Sequence, residues 1–286
     1  MTEFVDVHVH PPIAEFLDGA FAPYIEGLRA EFKAEIPAMT IDEIADHYRA
    51  LDGIAVLLAW DAERATRRPA LTGARVAELV AAHPDVFVGF GSVDPLNGAA
   101  AVTGVHDAAR LGLKGLKFHP PAQRFSPADR RTFPVWETAE GLGLPVLIHT
   151  GYTAMGAGMP GGGGIELAYG DPTLVDRVAV EFPDLQIVLA HPSWPWVDQA
   201  IAIAQHKANV HLELSGWAPS RLPESLVGAI KGPLAHKTLF GTDFPFLTPE
   251  RWIASFEKLG FGDDTTRMIL RDNAVRLLGL EEMATS

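Results

Sequence analysis

The sequence predicts an α/β protein, a single (β/α)8 (TIM) barrel over residues 1–286, and three observations carry that expectation. Eight short apolar runs recur along the chain, and helix-like segments fill the intervals between them. The length of 286 residues suits one barrel, a fold that commonly needs roughly 250. Strand–helix alternation repeated in this way points to a closed parallel sheet rather than an open one.

The first run is FVDVHVH (4–10), in which alternation puts His8 and His10 on one face and Val5, Val7 and Val9 on the other. The valine face is expected to pack against the surrounding helices. After a long connection comes TIDEIADHYRALDG, where Thr40 and Glu43 form a capping box and Gly53 lies just past the helix end. The next runs are IAVLLAW (54–60), VFVGFGSVD (86–94), LKGLKFH (113–119) and LPVLIHT (144–150). DPTLVDRVAVEFP opens a helix at Asp171 and Pro172 and stops at Pro183. LQIVLAH (185–191), NVHLELSG (209–216) and TLFGTDF (238–244) complete the strands, and DDTTRMILRDNAVRLLGL reads as a closing helix. All eight runs are rich in Val, Ile, Leu and Phe and bounded by Gly, Pro or Asp, as buried parallel strands are.

Two connections exceed what barrel turns need: residues 11–40 after the first strand and 151–171 after the fifth. In a barrel both lie at the C-terminal ends of the strands, where active sites are built, so they are candidate lids or substrate walls. The glycine run 161–164 reads as a flexible segment, since no P-loop Lys-Ser/Thr follows it.

Composition narrows the chemistry. A net charge of −13 argues against nucleic acid and anionic membranes as partners without identifying a substrate, and a small-molecule substrate is expected. With no cysteine, there are no disulfides and no thiolate metal sites, so a metal must be held by His, Asp, Glu or a modified Lys. No run reaches transmembrane length and the N-terminus lacks signal-peptide character, so a cytoplasmic location is expected.

The ionisable residues sit where a barrel keeps its chemistry. His8 and His10 close the first strand, Lys117 and His119 the fourth, His149 the fifth, His191 the sixth and Asp243 the eighth. One histidine at a strand end is ordinarily a hydrogen-bonded structural residue. Five strands delivering His or Asp to one mouth is a different matter, because buried ionisable groups are costly unless paired or bound to metal. The set reads as a site for a divalent metal, Zn²⁺ first, with Mn²⁺, Fe²⁺ and Co²⁺ sharing these ligands.

VDVHVH, LPVLIHTG, IVLAHPS, LFGTDFP and DNAVRLLGL together resemble the amidohydrolase-related superfamily, and more narrowly its amidohydrolase-2 branch. The resemblance implies that His8, His10 and His149 bind the metal, with Asp243 a further ligand or the base beside it and His191 near the metal-bound water or substrate. Many relatives bridge two metals with a carboxylated lysine on the fourth strand, near Lys117. This branch is usually mononuclear, so one metal is expected, with Lys117 and His119 contacting substrate or a second metal. A homodimer is compatible with the resemblance.

Metal-activated water, Asp243 as general base and His191 as proton donor or oxyanion partner make a hydrolase of an ester, lactone, amide or activated C–C bond the first expectation. Its alternative is a non-oxidative decarboxylase or hydratase using the same metal site. A substrate carboxylate needs a cation, and Arg124, Arg130, Arg131 and Arg221 are candidates, Arg124 foremost. Trp194 and Trp217, with Trp60, Trp196, Phe244 and Phe246, suggest a pocket for a flat or ring-derived acid.

Overall fold

The computed structural model describes residues 2–33 and 35–285 and forms the barrel expected from the sequence. Its strands are β1 Phe4–Val9, β2 Gly53–Leu58, β3 Phe87–Phe90, β4 Leu116–Phe118, β5 Val146–His149, β6 Ile187–Ala190, β7 Val210–Glu213 and β8 Thr238–Leu239. They pair in sequence order, all parallel, as a three-stranded and a five-stranded sheet. Bridges Gly91↔Leu116 and Val9↔Phe244 close the two seams. Helices cover the outside. Among them Ile41–Arg49 carries the expected Thr40–Glu43 capping box, and Asp171 Oδ1 accepts from Thr173 N (2.9 Å) at the start of Thr173–Glu181.

Two apolar clusters divide the core. The smaller joins Val5, Val7, Ile54, Val56, Leu58, Val88, Leu147, Val188 and Leu239, from strands of both sheets around the ring, so it fills the barrel interior. Ala274 and Leu278 of helix Asn273–Leu278 join the same cluster. The larger cluster lies between strands and helices and includes Val9, Ala55, Leu57, Ile148 and Leu189.

Val5 and Val7 therefore face inward, which corrects the expectation that all three valines of β1 face the helices. The cause is a slip in register: Asp6 pairs with Ala55 and Val9 with Leu57, three steps of β1 against two of β2. A bulge of this kind re-aims the residues beyond it. It lets Val5 and Val7 fill the interior while His8 and His10 still turn into the mouth.

Asp6 fastens the bulge. Its Oδ1 accepts from His8 N (3.1 Å) and Thr242 N (2.9 Å), and its Oδ2 from Thr242 Oγ1 (2.6 Å) and Tyr48 Oη (2.8 Å). One carboxylate thus ties β1 to the stretch after β8 and to helix Ile41–Arg49. Burial pushes its pKa up to about 6, a shift that these four donors restrain. At the far end of the chain, the closing helix widens to a π-turn over Met268–Asp272, whose Ile269 carbonyl accepts from Phe240 N (3.0 Å). No helix among the described residues is long and apolar enough to cross a membrane.

Asp6→Ala would leave four donors without their acceptor. A loss of about 3 kcal/mol or more of stability is expected by denaturant titration; an unchanged midpoint would remove Asp6 from the framework.

Candidate metal centre

The barrel mouth gathers His8, His10, Lys117, His119, His149, His191 and Asp243, as their strand-end positions predict. All but Asp243 are buried, and its side chain is 13% exposed. His8 Nε2 and His10 Nε2 lie 3.4 and 3.5 Å from Asp243 Oδ1. The His8 and His191 rings are 4.9 Å apart, and those of His149 and His191 4.7 Å, so the imidazoles form one continuous group. His149 Nε2 and His10 Nδ1 are buried with no hydrogen-bond partner. An orphaned imidazole nitrogen beside two more imidazoles and a carboxylate is the donor set that a divalent cation satisfies. The residues fit the expected metal.

The backbone is bent to make this possible. His191 and Asp243 have φ of +70° and +65°, left-handed conformations that cost L-residues about 1 kcal/mol or more each. Between them lies Gly216, itself at φ +73°, where a Cβ would sit 2.9 Å from His191 Nδ1 and 3.2 Å from Asp243 Oδ2. No other residue fits there.

Lys117 and His119 have distinct places. Lys117 Nζ is 3.0 Å from His8 Nε2, at the centre of the group, and burial lowers its pKa to about 8. His119 Nδ1 accepts from Ala122 N (3.2 Å) as cap of the turn Pro120–Gln123. In the neutral ring the proton must then be on Nε2, which faces Thr153 Oγ1 at 3.4 Å. His119 offers no free lone pair to a metal; it stacks on His149 at 3.9 Å and holds that ring in place.

Above the group opens a cavity of about 700 Å³. Both long connections wall it, Phe21, Leu28 and Phe32 from the first and Tyr152 and Met155 from the second. Trp60, Trp194, Trp217 and Phe246 complete an aromatic surface, with the Trp194 and Trp217 rings 6.5 Å apart. Trp196 and Phe244 do not line it; Phe244 packs on His47 and Tyr48.

Arg124 is the main correction. It is exposed and reaches Gly163 O (3.4 Å) on the glycine turn, outside the cavity lining. Arg130 and Arg131 are exposed too, the latter paired with Asp129. The cations lining the wall are Lys33 and Arg221, with Glu31 as the one acid beside them. Glu213 and Ser215, at the end of β7, were missed altogether. Glu213 Oε2 is 3.1 Å from His8 Nδ1, and the Ser215 hydroxyl touches both His8 and His191.

Burial sets the electrostatics, with Lys117 adding to it. His8, His10, His119 and His149 are held well below the ordinary imidazole range, and His191 falls to about 3. Burial raises Asp243 to about 7 and Glu213 to about 8. The imidazoles are therefore neutral and able to bind a cation at neutral pH.

An amidohydrolase family model matches residues 5–280. A 2-amino-3-carboxymuconate-6-semialdehyde decarboxylase of Dictyostelium discoideum is 25% identical over 243 residues, covering 72% of this chain and 65% of that protein. The chain thus spans a little under two thirds of that relative's length. A TIM-barrel protein of Bordetella bronchiseptica superposes with a TM-score of 0.81 at 25% identity over 99% of both chains. A dihydroxybenzoic acid decarboxylase of a Polaromonas species, holding manganese and the inhibitor 2-nitroresorcinol, superposes with a TM-score of 0.70 at 19% identity over 98% of each chain. At that identity the likeness speaks for the fold.

The pH dependence of stability follows from the shifts. Six lowered imidazoles, those of His8, His10, His119, His149, His191 and His211, take up protons on unfolding below the imidazole range. Four raised carboxyls, Asp6, Asp94, Glu213 and Asp243, release protons on unfolding over the same window. Six against four leaves net uptake. The thermal midpoint of the metal-free protein is expected to be nearly flat around pH 7 and to fall between about pH 6.5 and 5. A midpoint rising on acidification would contradict this balance.

Proposed function

The chain belongs to the amidohydrolase family, and we propose that within it this protein is a metal-dependent, non-oxidative decarboxylase of an aromatic or ring-derived carboxylic acid. The observation that carries the reading is the convergence of His8, His10 and Asp243, whose ligand atoms lie within 4.8 Å of one another, in an aromatic-walled cavity that His149 also lines. Hydrolysis was the first expectation from sequence. The curated relative is a decarboxylase, and it supports the alternative instead.

His8, His10 and His149 would hold one divalent metal together with Asp243 Oδ1, zinc or manganese being suited to three imidazoles and a carboxylate. When bound, the metal supplies Lewis-acid charge that anchors an anionic substrate and steadies negative charge on it. Asp243 divides its oxygens. Oδ1 faces His8 and His10, while Oδ2 lies on the Gly216 side, towards His191. Through Oδ2, the oxygen turned away from His8 and His10, Asp243 can carry a proton and deliver it to the ring carbon that bears the carboxylate. The bond to the carboxylate then breaks, its electron pair returns to the ring and CO2 departs. Water reprotonates Asp243.

His191 stays neutral and accepts a hydrogen bond from a substrate hydroxyl, fixing the ring for proton delivery. Trp194 and Trp217 flank a flat substrate at the mouth. Arg221 lines the wall with its guanidinium free of any hydrogen-bond or ion-pair partner among the described residues, and it takes an acidic substituent that is not lost.

Purified protein assayed on hydroxylated benzoates and muconate-type acids is expected to release CO2, to lose that activity to a chelator and to regain it with added metal. Asp243→Asn should lower turnover by about 100-fold or more. Acid release from lactones or esters without CO2 would return the hydrolytic reading. Arg221→Ala should raise KM about tenfold with turnover little changed; an unchanged KM would take Arg221 out of substrate binding. Elemental analysis bears on Lys117, since one metal per chain leaves it a neighbour and two would make it a ligand.

A further inference from the structure

We propose that Ser215, seated on Glu213, is a positioning residue that fixes two imidazoles at once, the metal-facing His8 and the substrate-facing His191. The roles of those two rings rest on the reading above; the geometry that joins them does not. β7 is one of the three strands to which the sequence assigns no ionisable site residue, yet it ends inside the cluster. Glu213 and Ser215 are both fully buried.

Proton placement follows from which atoms can only accept. Ser215 Oγ donates to Glu213 Oε2 (2.8 Å) and lies 2.9 Å from both His8 Nδ1 and His191 Nδ1. His191 Nδ1 is also 3.1 Å from the Ser215 carbonyl, which cannot donate, so that nitrogen carries its proton. Lys117 Nζ donates to His8 Nε2 (3.0 Å), so the His8 proton sits on Nδ1, which lies 3.1 Å from Glu213 Oε2. The single hydroxyl proton is spent on Glu213, which leaves the lone pairs of Oγ to accept from both rings.

The consequence is one tautomer for both imidazoles. Each bears its proton on Nδ1 and turns an unprotonated Nε2 towards the cavity, which is the form that can bind a cation or accept a proton. A carboxylate behind a ligating histidine is the usual means of orienting it. Here one hydroxyl extends that support to a second ring on another strand. Glu213 is anchored in turn by Ser215 N (2.5 Å) and lies against Gly241, where any Cβ would collide with its Oε1.

Two measurements test this without substrate, so their outcome is independent of whether decarboxylation is the reaction. Imidazole ¹⁵N spectra of the metal-free parent should show His8 and His191 protonated at Nδ1; either ring protonated at Nε2 overturns the proposal. Chelator competition should then show zinc bound about tenfold more weakly by Ser215→Ala, with Ser215→Thr restoring most of the affinity. Parental affinity in Ser215→Ala overturns the proposal. So does an equal loss in the alanine and threonine variants when both keep the parental melting temperature, for the hydroxyl would then not be the agent. Where substrate is in hand, Ser215→Ala should lower turnover with KM held.

Discussion

Keeping five imidazoles, a lysine and two carboxyl groups at one end of a barrel is the constraint on which the rest of the structure depends. Away from water each group loses solvation, and the structure answers in three ways. The imidazoles stay neutral, the carboxyls are held near the pH at which they exchange protons, and Lys117 drops to about 8. What remains is an unmet demand for positive charge on lone pairs aimed at one place. His149 Nε2 states it most directly, since it is buried and has no partner in the protein. A divalent cation resolves the demand where another apolar residue would not.

The backbone bears part of the cost. A regular β1 would set all three of its valines on one face, and the interior would lose Val5 and Val7. The bulge beyond Asp6 lets β1 fill the barrel at one end and present two imidazoles at the other. Asp6 then joins that bulge to Thr242, the neighbour of Asp243, so the strand bearing two histidines and the loop bearing the carboxylate share one anchor. The left-handed turns at His191 and Asp243 aim those side chains across the mouth, and Gly216 is the gap that admits both.

What was legible in the sequence follows the physics of each signal. Buried parallel strands read as apolar runs, so all eight were found, and ionisable residues ending such runs stand out against them. His8, His10, His149, His191 and Asp243 were visible for that reason. Glu213 was not. NVHLELSG alternates polar and apolar residues, and in that pattern a glutamate reads as a solvated face. Only the ring of strands shows that the face turns inward. The Asp6 anchor and the bulge were hidden because both depend on partners 42 and 236 residues away. Arg124 misled for the opposite reason: proximity to the fourth strand in sequence placed it near the mouth, but a left-handed turn at φ +55° directs it to the glycine loop. Arg221, ranked below it, lines the cavity.

The same cluster bears on which chemistry the site favours. A hydrolase needs a base kept ionised, whereas a decarboxylase needs an acid that still holds its proton at neutral pH. Burial lifts Asp243 towards the second condition, and Asp6 adds repulsion in the same direction. Lys117 opposes this, because an ammonium beside the carboxylate favours its ionised form. The lysine is itself depressed to about 8 and stands against His8, so its charge is shared between an imidazole lone pair and two carboxyl groups. The protonation of Asp243 is thus a property of the group. Lys117 and the Glu213–Ser215 pair stand on opposite edges of the same His8 ring.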